Sequence, residues 1–234
     1  MTTADKQKHA LILGASRGLG LGLVQKYLEQ GWKVLATERA PGPDTRLGHL
    51  AEKFSQALRV EQLDINDQKQ IEQLAEKLKG ATFDLLFVVA GVSDDPQQLS
   101  SQISNDEFAH LMLTNALSPM RALEAFSANV PAEGVVAVMS SALGSVSTNT
   151  EGGYESYRAS KAALNSLLRS FSARKKDERT YIAMMPGWVR TDMGGPEAPV
   201  AVEESTDGMA KAIAARQGNA GVFFIDFQGN EIAW

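Results

Sequence analysis

Tyr157 stands four residues before Lys161 in the stretch Ser156-Tyr-Arg-Ala-Ser-Lys161, where an apolar run of helical period begins (Ala159, Ala162, Ala163, Leu164, Leu167, Leu168, Phe171). On a helix, residues four apart share a face, with Cβ atoms about 5–6 Å apart. An ammonium at that distance favours the phenolate, so the spacing predicts a tyrosine pKa below the usual value of about 10. A phenol tuned in this way exchanges a proton with a carbonyl or alcohol oxygen near neutral pH. Taken alone the pair is a weak signal, because Tyr-x-x-x-Lys also arises on solvated helices that do no chemistry. Its weight depends on the elements that would have to position it.

Those elements alternate as strand and helix. His9 to Leu13 reads as a buried strand, the turn Gly14-Ala-Ser-Arg-Gly-Leu-Gly20 follows at once, and Leu21 to Gln30 reads as an amphipathic helix. Strand, glycine turn and helix in that order open a dinucleotide-binding βαβ unit. Glycines let the backbone approach a pyrophosphate, and the helix N-terminus supplies amides and partial positive charge. The candidate phosphate-side residues are therefore Gly14, Ser16, Arg17, Gly18, Leu19 and Gly20; the competing reading is a turn chosen only for tight packing. Lys33 to Thr37 reads as the second strand, and at its end Glu38 and Arg39 pull in opposite directions. A carboxylate there accepts the ribose hydroxyls of NAD and repels a 2′-phosphate, whereas Arg39, helped by Arg17, would pair with that phosphate. Two cations against one anion tilt the balance to NADP over NAD.

A turn-rich Pro41–Gly48 leads to a helix expected over Leu50–Leu58, a third strand over Leu58–Leu63 and a helix over Asn66–Lys79. Asp64 and Ile65 could flank an adenine ring, or Asp64 could simply end the strand or cap the helix. Asp84 to Ala90 has the unbroken apolar character of a central parallel strand, and Gly91 closes it. Ser104 to Asn129 reads as one long helix with Asn115 at its centre, a polar amide that must be satisfied or costly. Gly134 to Met139 is the fifth strand, with Ser140 and Ser141 at its carboxyl end, the side on which ligands bind in open parallel sheets. Thr180 to Met185 is the sixth, followed by Pro186-Gly-Trp-Val-Arg-Thr-Asp-Met193. A Gly/Pro-rich segment over Gly194–Val202, a helix over Glu203–Arg216 and a last strand over Val222–Ile225 complete the pattern. The class expected is α/β: a single doubly wound Rossmann-type domain over residues 1–234, with a mostly parallel seven-stranded sheet and helices on both faces.

Bulk properties exclude several alternatives. The 234 residues carry 23 basic and 28 acidic side chains, a net charge of −5 with no basic patch, so nucleic acid is a poor partner. The absence of cysteine removes disulfides and thiolate chemistry, and three scattered histidines, His9, His49 and His110, argue against a metal site. The polar segment Met1–Lys8 lacks the apolar core of a signal peptide, and no run is long enough to span a bilayer. A cytoplasmic protein with no membrane contact is expected.

With these pieces in order, the chain resembles the short-chain dehydrogenase/reductases over essentially its whole length. The resemblance rests on Gly14/Gly18/Gly20, Asp64, Ala90-Gly91, Asn115, Ser141, Tyr157/Lys161, and Pro186-Gly187 with Thr191. The Pro186–Met193 stretch, the Glu203-Glu-Ser205 helix start and the tail Asp226–Trp234 are most similar to the C-factor and sniffer-type carbonyl reductase branch. That resemblance implies Tyr157 as general acid/base and Lys161 as the group that lowers its pKa and holds the nicotinamide ribose. It implies Ser141 as the substrate-oxygen ligand, preferred to Ser140 because Gly144 stands three residues on, and Asn115 as the holder of a relay water. Pro186, Gly187, Val189 and Thr191 would lie along the nicotinamide, with Thr191 on its carboxamide. The implied activity is that of an NAD(P)-dependent oxidoreductase, a carbonyl reductase acting on a small carbonyl or alcohol and assembled as a homodimer or homotetramer. The chain departs from the family's Asn-Asn-Ala-Gly at Val88-Val89-Ala90-Gly91, which bears on stability or nicotinamide placement. Tyr154, four before Arg158, is read as a substrate-loop residue. The alternative is a dinucleotide-binding regulatory or cell-signalling protein with little turnover.

Overall fold

The structure, a computed structural model, describes residues 7–234; most of the N-terminal segment Met1–Lys8 therefore lies outside the described residues. Strands β1 (His9–Leu13), β2 (Lys33–Glu38), β3 (Leu58–Gln62), β4 (Leu85–Val88), β5 (Val135–Met139), β6 (Thr180–Met185) and β7 (Gly221–Asp226) form one sheet. Their spatial order is β3-β2-β1-β4-β5-β6-β7, and every neighbouring pair is parallel. The chain turns back on itself in this order at β1, which lies between β2 and β4. The winding direction reverses between β1 and β4, and ligands of doubly wound sheets sit in the crevice at such a reversal, beyond the carboxyl ends of the strands.

Period-two alternation sends successive strand residues to two separate cores. Leu11 and Leu13 pack with Ile71 and Leu74 of α3 (Gln68–Lys77), Phe126 of α5 (Ser118–Phe126) and Leu164, Leu168 and Phe171 of α6 (Glu155–Lys175). Ala10 and Ile12 face the other way, onto Leu23, Val24 and Tyr27 of α1 (Gly18–Glu29), Leu47 of α2 (Arg46–Lys53) and Met209 and Ile213 of α7 (Val202–Arg216). Being covered on both sides explains why β4 and β5 are apolar throughout rather than alternating.

Two helices differ from the sequence reading. The second begins at Arg46, not Leu50, because Thr45 caps it: its Oγ1 accepts the Gly48 amide at 2.9 Å. The single long helix expected over Ser104–Asn129 is α4 (Asn105–Met112), a π turn over Leu113–Leu117, α5, and a 3₁₀ turn over Ser127–Asn129. Such π turns are rare and cluster at functional sites; this one contains Asn115.

The 21-residue helix α6 is bounded at both ends by non-glycine residues in the left-handed region, Tyr154 (φ 51°) and Lys176 (φ 51°). An L side chain there costs roughly 1–2 kcal/mol. Lys176 is exposed and makes no side-chain bond among the described residues. Lys176→Gly is expected to stabilise the protein by about 1 kcal/mol and to raise Tm by roughly 2–4 °C in a thermal melt. An unchanged or lowered Tm would show that this cap stores no strain.

Candidate active site

The glycine turn closes tightly on its neighbours. Gly14 has φ +93°, and a Cβ there would lie 2.7 Å from the Ala90 nitrogen, so the loops after β1 and β4 run in direct contact. A Cβ at Gly20 would come within 2.1 Å of the Gly14 carbonyl oxygen, so only glycine lets α1 start against the turn. Thr37, on β2, supports the turn: its Oγ1 accepts the Gly14 amide at 3.2 Å and its carbonyl accepts the Ala15 amide at 2.8 Å. No side chain caps α1 at Arg17. Its first amides thus keep the donor capacity and positive dipole end that suit a phosphate.

At the end of β2, Glu38 and Arg39 part company. Glu38 is buried, and its Oε1 accepts the Thr45 hydroxyl at 2.7 Å, so the carboxylate braces the start of α2. Arg39 is exposed. Arg17 is exposed too, held among the described residues by Asp192 at 3.3 Å, with both side chains about two-thirds accessible. Further along, Asp64 closes a tight turn by accepting the Asn66 amide at 2.9 Å, and the cap of α3 is Asp67 rather than Asp64. Ile65 is packed in the core beside Leu63 and Ile71.

Main-chain bonds tie the end of β4 to β1: the Val89 and Ala90 amides both donate to the Leu13 carbonyl, at 2.8 and 3.1 Å. Val88 is 1% exposed and belongs to the core. Beyond Gly91, Asn115 grips the chain. Its Oδ1 accepts the Val92 amide at 2.9 Å, and its Nδ2 donates to the Val92 carbonyl at 2.8 Å and to Ser160 Oγ at 3.0 Å. The fully buried amide is satisfied at both ends. A Cβ at Gly91 would lie 3.2 Å from Asn115 Oδ1 and 3.4 Å from Lys161 Nζ, so Gly91 is the point on which both side chains close.

Tyr157 and Lys161 lie on the first turns of α6, one turn apart, and Ser141 reaches the Tyr157 hydroxyl from the end of β5. Ser140, the serine set aside, is buried and donates to Asn165 Oδ1 at 2.7 Å; Asn165 Nδ2 donates to the Gly144 carbonyl at 3.2 Å. Asn165, one turn beyond Lys161, thereby brackets the loop that carries Ser141. Lys161 is 3% exposed; its Nζ donates to the Met139 carbonyl at 2.8 Å and lies 5.6 Å from the Tyr157 ring centroid.

The protonation pattern corrects the sequence reading. Burial pushes the Tyr157 phenol up to about 12, with the Ser141 hydrogen bond opposing and the charges of Asp94 and Tyr154 adding to the rise. Burial also draws Lys161 down to about 8. The spacing argument expects the ammonium to dominate and the phenol to fall. It fails because helix geometry says nothing of desolvation, which disfavours both charges here.

After β6, Pro186 is fixed by its carbonyl accepting the Ser205 hydroxyl at 2.6 Å. Gly187 (φ +89°) leaves room for the Phe227 ring, which a Cβ would meet at 3.1 Å. Val189 is buried and bridges to Val200, closing the loop, and Thr191 Oγ1 accepts the Gly194 amide at 3.1 Å. A Cβ at Gly18 would touch the Thr191 methyl at 3.5 Å, so this loop faces the glycine turn across the crevice. Trp188 and Met193 present exposed apolar side chains on it, 57% and 56% accessible. Neither was singled out from the sequence, nor were Thr37, Asp94, Ser160 or Asn165. Each is an ordinary residue type whose role depends on a partner distant in the chain. Tyr154 stands next to the Tyr157–Lys161 cluster, its ring 6.3 Å from that of Tyr157.

The model of the short chain dehydrogenase family matches residues 8–200, a span that holds nearly every residue just described. The chain belongs to the short-chain dehydrogenase family. Among solved structures it is similar to a Burkholderia multivorans chain with bound NADP, at 43% identity and a TM-score of 0.94, over 97% of this chain and 100% of that one. It is also similar to a carbonyl reductase of Pseudomonas aeruginosa in complex with NADP (38% identity, TM-score 0.90, 97% and 100% covered). Among curated proteins, the C-signal of Myxococcus xanthus is 36% identical over 64% of this chain and 92% of its own length. Among the described residues of this family member, no helix is long and apolar enough to cross a membrane, and no cluster of three metal-ligating side chains occurs.

Proposed function

We propose that the protein is an NADP-dependent carbonyl reductase in which Tyr157 protonates the substrate oxygen. The observation that carries this reading is the meeting of Ser141, Tyr157 and Lys161 beside Gly91, at the crevice lined by the glycine turn. The cradle suits a dinucleotide: Gly14 and Gly20 leave no room for a side chain, and α1 carries no side-chain cap. The bound dinucleotide would supply the hydride. Ser141 would hold the carbonyl oxygen and Tyr157 would deliver the proton. A phenol raised to about 12 is protonated throughout the physiological range, the state a reductase needs in its acid. Lys161, with its remaining donors, would hold the ribose. Asn115 would act through Val92 and Ser160 on the wall of the site, with a relay water beside it. Pro186, Gly187, Val189 and Thr191 would border the nicotinamide, and Trp188 and Met193 would offer apolar contact to a small aldehyde or ketone.

Preference for NADP follows from Glu38 being turned inward to Thr45 while Arg17 and Arg39 stay exposed. The Arg17–Asp192 pair, being exposed, is worth well under about 1 kcal/mol, so a 2′-phosphate can recruit Arg17. The likeness to NADP-bound structures supports the same choice. NADPH is expected to bind at least about tenfold more tightly than NADH, with an affinity that falls as salt rises. Arg17→Ala should remove about tenfold from NADPH affinity and leave NADH unaffected. Equal affinities, or no salt dependence, would refute the assignment; binding of neither dinucleotide would refute the enzyme itself. The C-signal relative favours a second reading, a signalling protein of the same fold; under it, function survives loss of the Tyr157 hydroxyl. We infer a homodimer or homotetramer because Phe108, Leu117 and Leu167 expose apolar surface on the helices flanking the site. A monomer by analytical ultracentrifugation at micromolar concentration would refute that.

A further inference from the structure

Helix α6 carries both Tyr157 and Lys161, yet its own sequence does not finish its N-terminus. The residue at the cap position is Tyr154, left-handed at φ 51° and ψ 37°, and it makes no side-chain capping bond. A well-made cap is extended and lends a side-chain oxygen to the amide two or three residues on. Counting from Tyr154, the third residue is Tyr157. Its amide does find a carboxylate: it donates to Asp94 Oδ2 at 3.1 Å, across a separation of 63 residues. The cap of the catalytic helix is thus supplied by the loop that follows β4 and Gly91.

Two further bonds fix the same loop to the same turn. The Tyr154 amide donates to the Pro96 carbonyl at 3.0 Å, and the Ser100 amide donates to Glu155 Oε2 at 2.7 Å. The Tyr154 bond holds the strained cap residue in place. Asp94 Oδ1, the other oxygen, is buried and accepts no hydrogen bond among the described residues. With that oxygen out of water the charge is only partly screened, and the phenol of Tyr157 stands within its field.

We propose that Asp94 is a positioning residue for Tyr157: from the loop after β4 it caps the helix that carries the proton donor and sets a negative charge against that donor. The proposal rests on Tyr157 being the catalytic acid, as argued above. The ionisable groups around the phenol are Asp94 from this loop, Tyr154 at the cap position of α6 and Lys161 within it, with the Ser141 hydroxyl opposing from the end of β5. Removing the Asp94 charge therefore makes the phenol easier to ionise, and removing its acceptor leaves the Tyr157 amide uncapped.

The two contributions separate in two variants. Asp94→Asn keeps an acceptor of the same shape and removes the charge; Asp94→Ala removes both. In each, the ionisation of Tyr157 is read without substrate, as the ultraviolet tyrosinate absorbance minus that of the same variant carrying Tyr157→Phe. Steady-state kinetics with NADPH and a simple aldehyde are read beside it. Asp94→Asn is expected to shift the phenol titration to lower pH while keeping kcat within about threefold of the parent at neutral pH. Asp94→Ala is expected to lose roughly ten- to hundredfold in kcat, with KM for NADPH little changed, as a slight misplacement of a reacting group does. An unshifted phenol in Asp94→Asn would overturn the electrostatic role. An Asp94→Asn as slow as Asp94→Ala would overturn the capping role. Should Asp94→Ala not fold, Asp94→Ser, which keeps a capping oxygen, takes its place, and a fall in its kcat beyond tenfold overturns the capping role. The absorbance titration stands even if no carbonyl is turned over, so failure of the reductase reading and failure of this proposal are told apart.

Discussion

Tyr157→Phe is expected to lower kcat for carbonyl reduction by about 10²–10⁴-fold and to leave NADPH affinity within about twofold, because the step lost is made only at the transition state. The substitution removes one oxygen and keeps the ring, with its packing against Tyr154 and its place beside Lys161. No other described residue is positioned to replace it: Ser141 is a much weaker acid, and Lys161 is turned to the Met139 carbonyl. In the parent protein the phenol is pushed up to about 12, so the reductive rate should show no loss from tyrosine ionisation below that region. The limb that appears first as pH rises should come from Lys161, drawn down to about 8. A variant that keeps a tenth or more of the parent kcat would remove Tyr157 from the chemistry and leave the signalling reading in its place.

Lys161→Met is expected to abolish turnover and, at the same time, to make the protein more stable. The ammonium is 3% exposed with a single protein acceptor, and burial draws its pKa from 10.5 in the unfolded chain to about 8. Below pH 8 both states are protonated, and the folded state bears the full cost of a buried charge. Between about 8 and 10.5 the unfolded chain holds the proton and the folded one does not, so stability rises with pH through that window. The shift corresponds to about 3 kcal/mol on the scale of roughly 1.4 kcal/mol per unit. Methionine has nearly the same shape and no charge, so at pH 7 the variant should gain a stability of that order, with no rise of its own above pH 8. Urea unfolding of the apoprotein at pH 7 and at pH 9.5 tests both statements. If the parent showed no rise across this interval, the Lys161 ammonium would keep its proton in the folded state with an ordinary pKa, as a well-solvated lysine does. Tyr157 does not confuse the measurement, because it favours unfolding only above about pH 10, where the unfolded phenol begins to ionise. Under the proposed function, a lysine kept at this cost is a stability–activity trade-off of the kind common at active sites.

Sequence alone determined a good deal. Strand β1 was legible residue for residue, as was β6, because an apolar stretch bounded by turn residues is a local pattern. Alternation of strand and helical periods gave the doubly wound class, and the glycine turn located the crevice, since only glycine tolerates such close backbone approach. The placement of Tyr157 and Lys161 one turn apart on a helix was also within reach, from their spacing.

What only tertiary structure decided has one physical cause: it depends on partners far apart in the chain. The inward turn of Glu38 hangs on Thr45, the start of α2 on the same threonine, and the hold on Ser141 on Asn165. Asn115 finds its acceptors and donors on Val92 and Ser160, and Tyr157 takes its helix cap from Asp94. The sign of the Tyr157 shift belongs to this class too. Spacing supplied the attractive charge, Lys161, but desolvation is a property of everything packed around a group, and here it outweighed the pair.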